Sequence, residues 1–174
     1  MKTEQKLNLS MLFDFYEMTM GNGYFQAGYQ DRITYFDVFF RQCPDGGGFA
    51  IFAGLEQVIN YIKNLHFSKQ DIAYLESLKI LDEDFLEYLD TFRFTGDIYA
   101  IPEGTVVFPR EPLIKVIAPI MEAQLVETAI LTILNNQCLI ATKAARVCYA
   151  AKGDSILEFG LRRAQGPDAG IYGA

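Results

Sequence analysis

The sequence predicts an α+β portion over residues 1–118, followed over residues 119–174 by a long helix and the first strand of an α/β unit. Three observations support this prediction. Aromatic and β-branched runs alternate with segments whose apolar residues recur at helical spacing. Turn residues separate three short β-rich runs just before Pro119. A long apolar segment then continues from Pro119 without a glycine until Gly153.

The first half of the chain predicts two helical regions around a strand. Ser10–Gln26 is expected to form a helix that loosens at its glycines, and Arg32–Phe40 to form a strand covered on both faces, with Arg41 at its exit. A glycine-rich loop precedes the next helix. Its apolar stripe is formed by Leu55, Val58, Ile59, Ile62 and Leu65. Ser68 and Asp82 are the expected N-caps of two further short helices.

The second half begins with the runs GDIYAI, GTVVF and PLIKVIA, whose spacing predicts a small meander or sandwich. Pro119 then opens the long helix. Acidic residues lie in its early turns and basic residues towards its end, which complements the helix dipole. SILEF, Ser155–Phe159, is expected to be the next strand.

Composition limits the function classes. The 174 residues are 51% hydrophobic, which is typical of a globular chain. A net charge of −7, with only 15 Lys and Arg, argues against a nucleic-acid-binding surface. The N-terminus lacks the pattern of a signal peptide, and the charges and amides within 120–151 argue against a membrane span. We therefore expect no nucleic-acid partner and no membrane partner.

Several familiar motifs are missing or incomplete. Cys43, Cys138 and Cys148 show neither metal-ligand nor disulfide spacing, so we expect small buried thiols and a reduced, cytoplasmic setting. Gly46–Gly48 lacks the lysine of a phosphate loop and predicts a flexible turn. His66 is the only histidine, which leaves no multi-histidine metal site and no Ser/His/Asp triad.

Two pairs of residues carry candidate chemistry. Asp14 and Tyr16 place a carboxylate beside an aromatic ring on the first helix, although a core tyrosine and a solvated aspartate would give the same spacing. Arg162 and Arg163 follow SILEF, and adjacent guanidinium groups repel unless an anion joins them. Two surface arginines in unrelated ion pairs are the alternative.

Four stretches together resemble nicotinate phosphoribosyltransferase: LFDFYEMTM, YFDVFFRQCPDGGGFAIFAGLEQ, VETAILTILNNQCLIATKAARV and EFGLRRAQGPDAG. The likeness covers essentially the whole chain and is most specific in the last motif. It implies a type II phosphoribosyltransferase fold, in which an α+β domain packs on an irregular α/β barrel. It also implies dimers with shared active sites, and the joining of nicotinate to phosphoribosyl pyrophosphate with coupled ATP hydrolysis and Mg²⁺.

The resemblance also implies roles for individual residues. Tyr16, from the neighbouring subunit and with Asp14 beside it, would cover one face of the pyridine ring, and Phe159 would cover the other. Arg162 would lie near the carboxylate or the phosphates as the catalytic cation, supported by Arg163. Arg41 would reach phosphates from the partner subunit.

The family's phosphorylatable histidine, acidic ribose site and glycine-rich phosphate loop have no counterpart before Ala174. The chain therefore resembles an N-terminal piece, and we expect it to be inactive without the rest of the barrel. Three alternatives remain open. The chain could belong to a nicotinamide-using relative, to a quinolinate phosphoribosyltransferase, or to a non-catalytic subunit that kept the fold.

Overall fold

The computed structural model describes residues 8–174. Its α-helices are α1 Phe15–Gln26, α2 Leu55–Asn64, α3 Lys69–Ser77, α4 Glu83–Asp90, α5 Ile120–Leu125, α6 Glu127–Ala151 and α7 Pro167–Gly173. Its strands are β1 Ile33–Val38, β2 Ala50–Ile51, β3 Asp97–Ala100, β4 Val106–Val107 and β5 Ile114–Pro119. Short 3-10 turns occupy Pro44–Gly46 and Leu161–Arg163.

The strands form two sheets. The larger sheet has the order β1-β5-β3. The smaller sheet pairs β2 with β4 antiparallel, with Ala50 opposite Val107 and Ile51 opposite Val106. A meander would pair β3 with β4 and β4 with β5, but β4 pairs with β2 instead. The predicted meander is therefore wrong. The central strand β5 buries Ile114, Val116 and Ala118, as expected of a strand with neighbours on both sides.

The described residues divide into two compact units. The first unit contains the residues up to Phe36 together with Glu56–Tyr99 and Lys115–Ile130. The second unit contains Asp37–Leu55, Ala100–Ile114 and Leu131–Ala174. The predicted boundary at residue 118 stays a prediction for the complete protein.

The core of the first unit is aromatic. Phe25 packs against Phe85 and Tyr88 with ring centroids 5.8 and 5.6 Å apart, and Phe67 meets Phe92 edge-on. The predicted N-cap at Ser68 is confirmed, since its hydroxyl accepts a hydrogen bond from the Asp71 amide. Asp82 also occupies its predicted N-cap position.

Three further expectations are corrected. β1 is not covered on both faces, since Ile33 and Tyr35 are 56% and 67% exposed and the described residues pack against its other face only. Helix α1 begins at Phe15 rather than Ser10. SILEF carries no strand, because a strand requires a hydrogen-bonded neighbour and the described residues provide none for residues 155–159.

The long apolar helix is divided at Val126 into α5 and α6. By length and composition alone, Ile120–Ala151 could cross a membrane, but the core helix of a globular protein passes the same test. Its buried side chains include Met121, Val126, Ile130, Leu134 and Cys138. The expectation of no membrane partner stays a prediction. Cys43 and Cys138 are buried as expected, whereas Cys148 is exposed.

Gly96 provides a test of how β3 approaches β5. A Cβ atom at this position would lie 2.6 Å from the Ile117 carbonyl oxygen and 2.9 Å from the Ala118 Cα. Because these are backbone atoms of the central strand, Gly96→Ala is expected to lower the free energy of unfolding by about 2 kcal/mol. Urea unfolding followed by circular dichroism measures this. Gly48→Ala is the control, since Gly48 lies in a loop and a Cβ atom there would have no neighbour within 4 Å; a Gly96→Ala protein as stable as wild type would contradict the packing.

Candidate active site

The first turn of α1 presents two of the predicted site residues. Asp14 is the N-cap residue, with φ −71° and ψ 132°, and its side chain makes no capping hydrogen bond. Tyr16 lies two residues later and is 51% exposed. The alternative explanation, that Tyr16 is a core residue, is therefore wrong. The structure places an accessible aromatic ring beside an exposed carboxylate.

Glu17 lies beneath this turn and has no exposed surface. Its Oε1 accepts a hydrogen bond of 2.8 Å from the Thr128 hydroxyl of α6. The same hydroxyl accepts the Asp14 amide proton at 3.3 Å. Glu17 Oε2 has no hydrogen-bond partner among the described residues. A carboxyl group in this position is strongly desolvated.

Burial raises the pKa of Glu17 to about 7, and the neighbouring Glu127 and Asp14 carboxylates add to this rise. The pKa of the Tyr16 phenol is also raised, chiefly by the negative charge of Glu127. The surroundings of the first turn are thus acidic, and an anionic substrate bound there needs cations from elsewhere.

Arg162 and Arg163 lie in the 3-10 turn Leu161–Arg163, rather than at the end of a strand. The turn is closed by a 2.7 Å hydrogen bond from the Arg163 amide to the Gly160 carbonyl. Helix α7 supports it, because the Leu161 side chain lies where a Cβ atom of Gly170 would be. Both guanidinium groups are exposed, and Phe159, which is 74% exposed, precedes the turn. Residues 159–163 therefore present a ring and two cations.

Arg41 follows β1 and is exposed on the loop that contains the 3-10 turn Pro44–Gly46. Arg146 of α6 ties this loop down through a 3.3 Å bond to Asp45 and a 3.1 Å bond to the Pro44 carbonyl. The Arg146 guanidinium also occupies the space that a side chain at Gly47 would need. The loop that carries Arg41 is thus held from one side.

The structure brings Asp14 together with Tyr16 in the first unit, and Phe159 together with the arginine pair in the second unit. Sequence reasoning missed Glu17 and Thr128. The D-x-x-E spacing of Asp14 and Glu17 is a capping-box pattern and could have drawn attention to Glu17. No local signal marks Thr128, because it meets α1 only through the tertiary fold.

Among residues 8–174, no group of three or more His, Cys, Asp or Glu side chains is placed to hold a metal ion.

Comparison with known proteins gives the family. A model of the nicotinate phosphoribosyltransferase N-terminal domain matches residues 11–135. A nicotinate phosphoribosyltransferase of Mycobacterium tuberculosis is 44% identical over 160 residues, which are 92% of this chain and 34% of that protein.

Two solved structures share the fold. The crystal structure of human nicotinic acid phosphoribosyltransferase matches with a TM-score of 0.85 at 38% identity, over 93% of this chain and 33% of that one. Nicotinate-nucleotide pyrophosphorylase from Pyrococcus furiosus matches with a TM-score of 0.70 at 20% identity, over 99% of this chain and 39% of that one, and shows the likeness of fold alone. The chain spans about a third of the length of these relatives. Together with the domain match, these likenesses confirm the resemblance seen in the motifs: the chain belongs to the nicotinate phosphoribosyltransferase family.

Proposed function

We propose that the chain is the N-terminal part of an enzyme that joins nicotinate to phosphoribosyl pyrophosphate, giving nicotinate mononucleotide and pyrophosphate in NAD salvage. The observation that carries this proposal is the first turn of α1, where the half-exposed ring of Tyr16 lies beside the carboxylate of Asp14. That carboxylate makes no capping hydrogen bond. This turn lies within the part of the chain that matches the family. The activity is proposed for the complete protein, because the chain spans about a third of its relatives.

The exposed groups suit the substrate. Nicotinate is a flat, electron-poor ring with one carboxylate, and such a ring binds well between aromatic faces. Tyr16 and Phe159 each present an exposed ring. Arg162 and Arg163 can each offer paired N–H donors to a carboxylate or phosphate. The acidic surroundings of Tyr16 make the arginines essential to this proposal, since nicotinate is itself an anion.

The catalytic contribution of this chain would be positioning and charge stabilisation. Transfer of the ribosyl group separates pyrophosphate from an oxocarbenium-like carbon, and fixed guanidinium groups stabilise the departing negative charge. Arg162 is the proposed catalytic cation, and Arg163 supports it. Arg41 would extend from the partner subunit to the substrate's phosphates. Asp14 lies beside the ring held by Tyr16.

The proposal also includes coupled ATP hydrolysis, Mg²⁺, a homodimer with shared active sites, a cytoplasmic location and a need for the rest of the barrel. We further propose that residues 1–174 alone form no nicotinate mononucleotide.

A nicotinamide-using enzyme is the nearest alternative. A neutral amide would leave the paired guanidinium groups without a matching charge, so Arg162 and Arg163 favour the acid. A non-catalytic subunit would need neither an exposed Tyr16 nor an exposed arginine pair.

The proposal is tested by incubating the complete protein with phosphoribosyl pyrophosphate, ATP, Mg²⁺ and labelled nicotinate. Nicotinate mononucleotide and pyrophosphate are expected in equal amounts, and ADP release would measure the ATP coupling. A complete, folded protein that forms no nicotinate mononucleotide would overturn the proposal. The same assay on residues 1–174 tests whether they are inactive alone.

Arg162→Lys tests the geometry of the catalytic cation. Lysine keeps the charge but loses the paired donors, so we expect kcat/KM for nicotinate to fall about tenfold or more, the value of one lost charge-assisted hydrogen bond. Arg32→Lys is the control, because Arg32 is not among the proposed site residues and its guanidinium is stacked 3.7 Å above the Tyr29 ring. Wild-type turnover in Arg162→Lys would reduce the role of Arg162 to simple charge.

A further inference from the structure

Helix α1 begins with the D-x-x-E pattern of a capping box but does not form one. In a direct box the side chains at the N-cap and three residues later bond to each other's amides. Ser68 and Asp71 of α3 do this, with bonds of 3.2 and 2.7 Å. In α1, by contrast, the Asp14 side chain caps nothing, and the Glu17 carboxyl accepts no bond from the Asp14 amide.

Instead, the Thr128 hydroxyl lies between the Asp14 amide and the Glu17 carboxyl. The Asp14 amide donates to the Thr128 hydroxyl, and the hydroxyl donates to Glu17 Oε1. The Glu17 amide closes the ring by donating to the Asp14 carbonyl at 2.9 Å. The hydroxyl thus uses its proton and one lone pair, and the first turn of α1 is tied to the first turn of α6. All three residues lie in the first unit.

We propose that Thr128 and Glu17 are positioning residues that hold Asp14 and Tyr16 in place through this relayed capping box. This inference rests on the proposed function, because it assumes that the exposed Asp14 and Tyr16 bind the substrate. Thr128 takes the place of the Glu17 carboxyl at the Asp14 amide, and the Asp14 carbonyl accepts the Glu17 amide proton. The Asp14 carboxylate therefore makes no capping bond and is left for the substrate. Tyr16 lies between the two tethered residues, which fixes the backbone that carries its ring.

The groups around Glu17 explain why a neutral hydroxyl is the partner. Asp14 faces it from α1, Glu127 from α6 and Tyr61 from α2, and the buried Tyr61 hydroxyl also lacks a hydrogen-bond partner among residues 8–174. None of these groups is a cation. The Thr128 hydroxyl can donate to Glu17 whether its carboxyl is ionised or neutral, so the tether does not depend on an ion pair.

The tether is tested first on the complete protein, without reference to activity. Thr128→Val keeps the shape of the side chain and removes the hydroxyl, so amide hydrogen exchange at Asp14 is expected to accelerate about tenfold or more, a loss of about 1.4 kcal/mol of protection. Thr128→Ser should restore protection. The Asp71 amide in the capping box of α3 serves as the internal control for folding. Unchanged exchange at Asp14 in Thr128→Val would overturn the tether.

The positioning role is tested on the complete protein. Thr128→Val should raise the KM for nicotinate about tenfold with little change in kcat, because binding rather than chemistry is disturbed. Thr128→Ser should recover most of the loss, and Thr132→Val, one turn later on an exposed position of α6, is the matched control. Faster Asp14 exchange with an unchanged KM would overturn the positioning role. A wild-type protein without nicotinate turnover would defeat the proposed function, and the exchange result would still decide the tether.

Discussion

Replacing Glu17 by Gln is expected to raise the free energy of unfolding at pH 8 by about 3 kcal/mol, and to leave it nearly unchanged at pH 4. The pKa of this carboxyl rises from 4.5 to about 7 in the folded protein, mainly through burial. The folded state therefore binds the proton more tightly than the unfolded state. The stability contributed by neutral Glu17 is complete below pH 4.5 and is lost as the pH rises through 7. Glutamine stays neutral throughout and still accepts the Thr128 hydrogen bond.

Urea unfolding of residues 1–174 between pH 4 and pH 8 measures this difference. Glu87→Gln is the control, because it makes the same substitution at an exposed position of α4. Parallel pH profiles for wild type and Glu17→Gln would show that Glu17 is not held in the desolvated position that the structure gives it.

Tyr16→Ala is expected to weaken nicotinate binding to the complete protein by about 1–3 kcal/mol, which corresponds to a roughly 5- to 150-fold increase in KM. The loss combines one stacking partner with the apolar area that the ring covers. Tyr16→Phe should remain close to wild type, since it keeps the ring and removes only the phenol. Steady-state kinetics with saturating phosphoribosyl pyrophosphate separate the two variants.

The same variants distinguish stacking from other roles of Tyr16. Phe159→Ala should show a loss of similar size if the pyridine ring is held on both faces. An unchanged KM for nicotinate in both alanine variants would contradict the aromatic sandwich. A large loss in Tyr16→Phe would instead point to the phenol, whose pKa is raised by Glu127.

Local patterns in the sequence predicted several elements well, because their signals act over a few residues. Ser68 opens α3 through bonds to Asp71 three positions away, and Pro119 precedes α5. The helical stripe that begins at Leu55 also marks α2 correctly. In each case, side-chain spacing and backbone chemistry are sufficient to set the element.

Features that depend on distant partners could not be predicted in this way. The short strand β4 pairs with β2, more than fifty residues earlier in the chain, and not with its neighbours in sequence. The apolar run Ser155–Phe159 has the composition of a strand, but its residues find no pairing partner in the described chain. Composition predicts that a segment can pair, whereas the tertiary fold decides with what.

The residues of the candidate site also divide into those marked by local sequence and those that depend on distant contacts. Asp14, Tyr16 and the arginine pair were identified from the sequence, and the structure leaves all four side chains exposed. Glu17 was missed because an acidic residue on a helix is normally solvated. In the fold it is buried and accepts a hydrogen bond from Thr128, which lies 111 residues away in the chain.

The most direct test of the central claim is a competition assay on the complete protein, with equal concentrations of nicotinate and nicotinamide and a limiting amount of phosphoribosyl pyrophosphate. Mass spectrometry distinguishes the two mononucleotide products. Because Arg162 and Arg163 are proposed to bind the carboxylate, nicotinate mononucleotide is expected to exceed nicotinamide mononucleotide by about a hundredfold or more, the range of one charge-assisted contact. Equal amounts of the two products, or an excess of the amide product, would contradict the assignment of this chain to a nicotinate-specific enzyme.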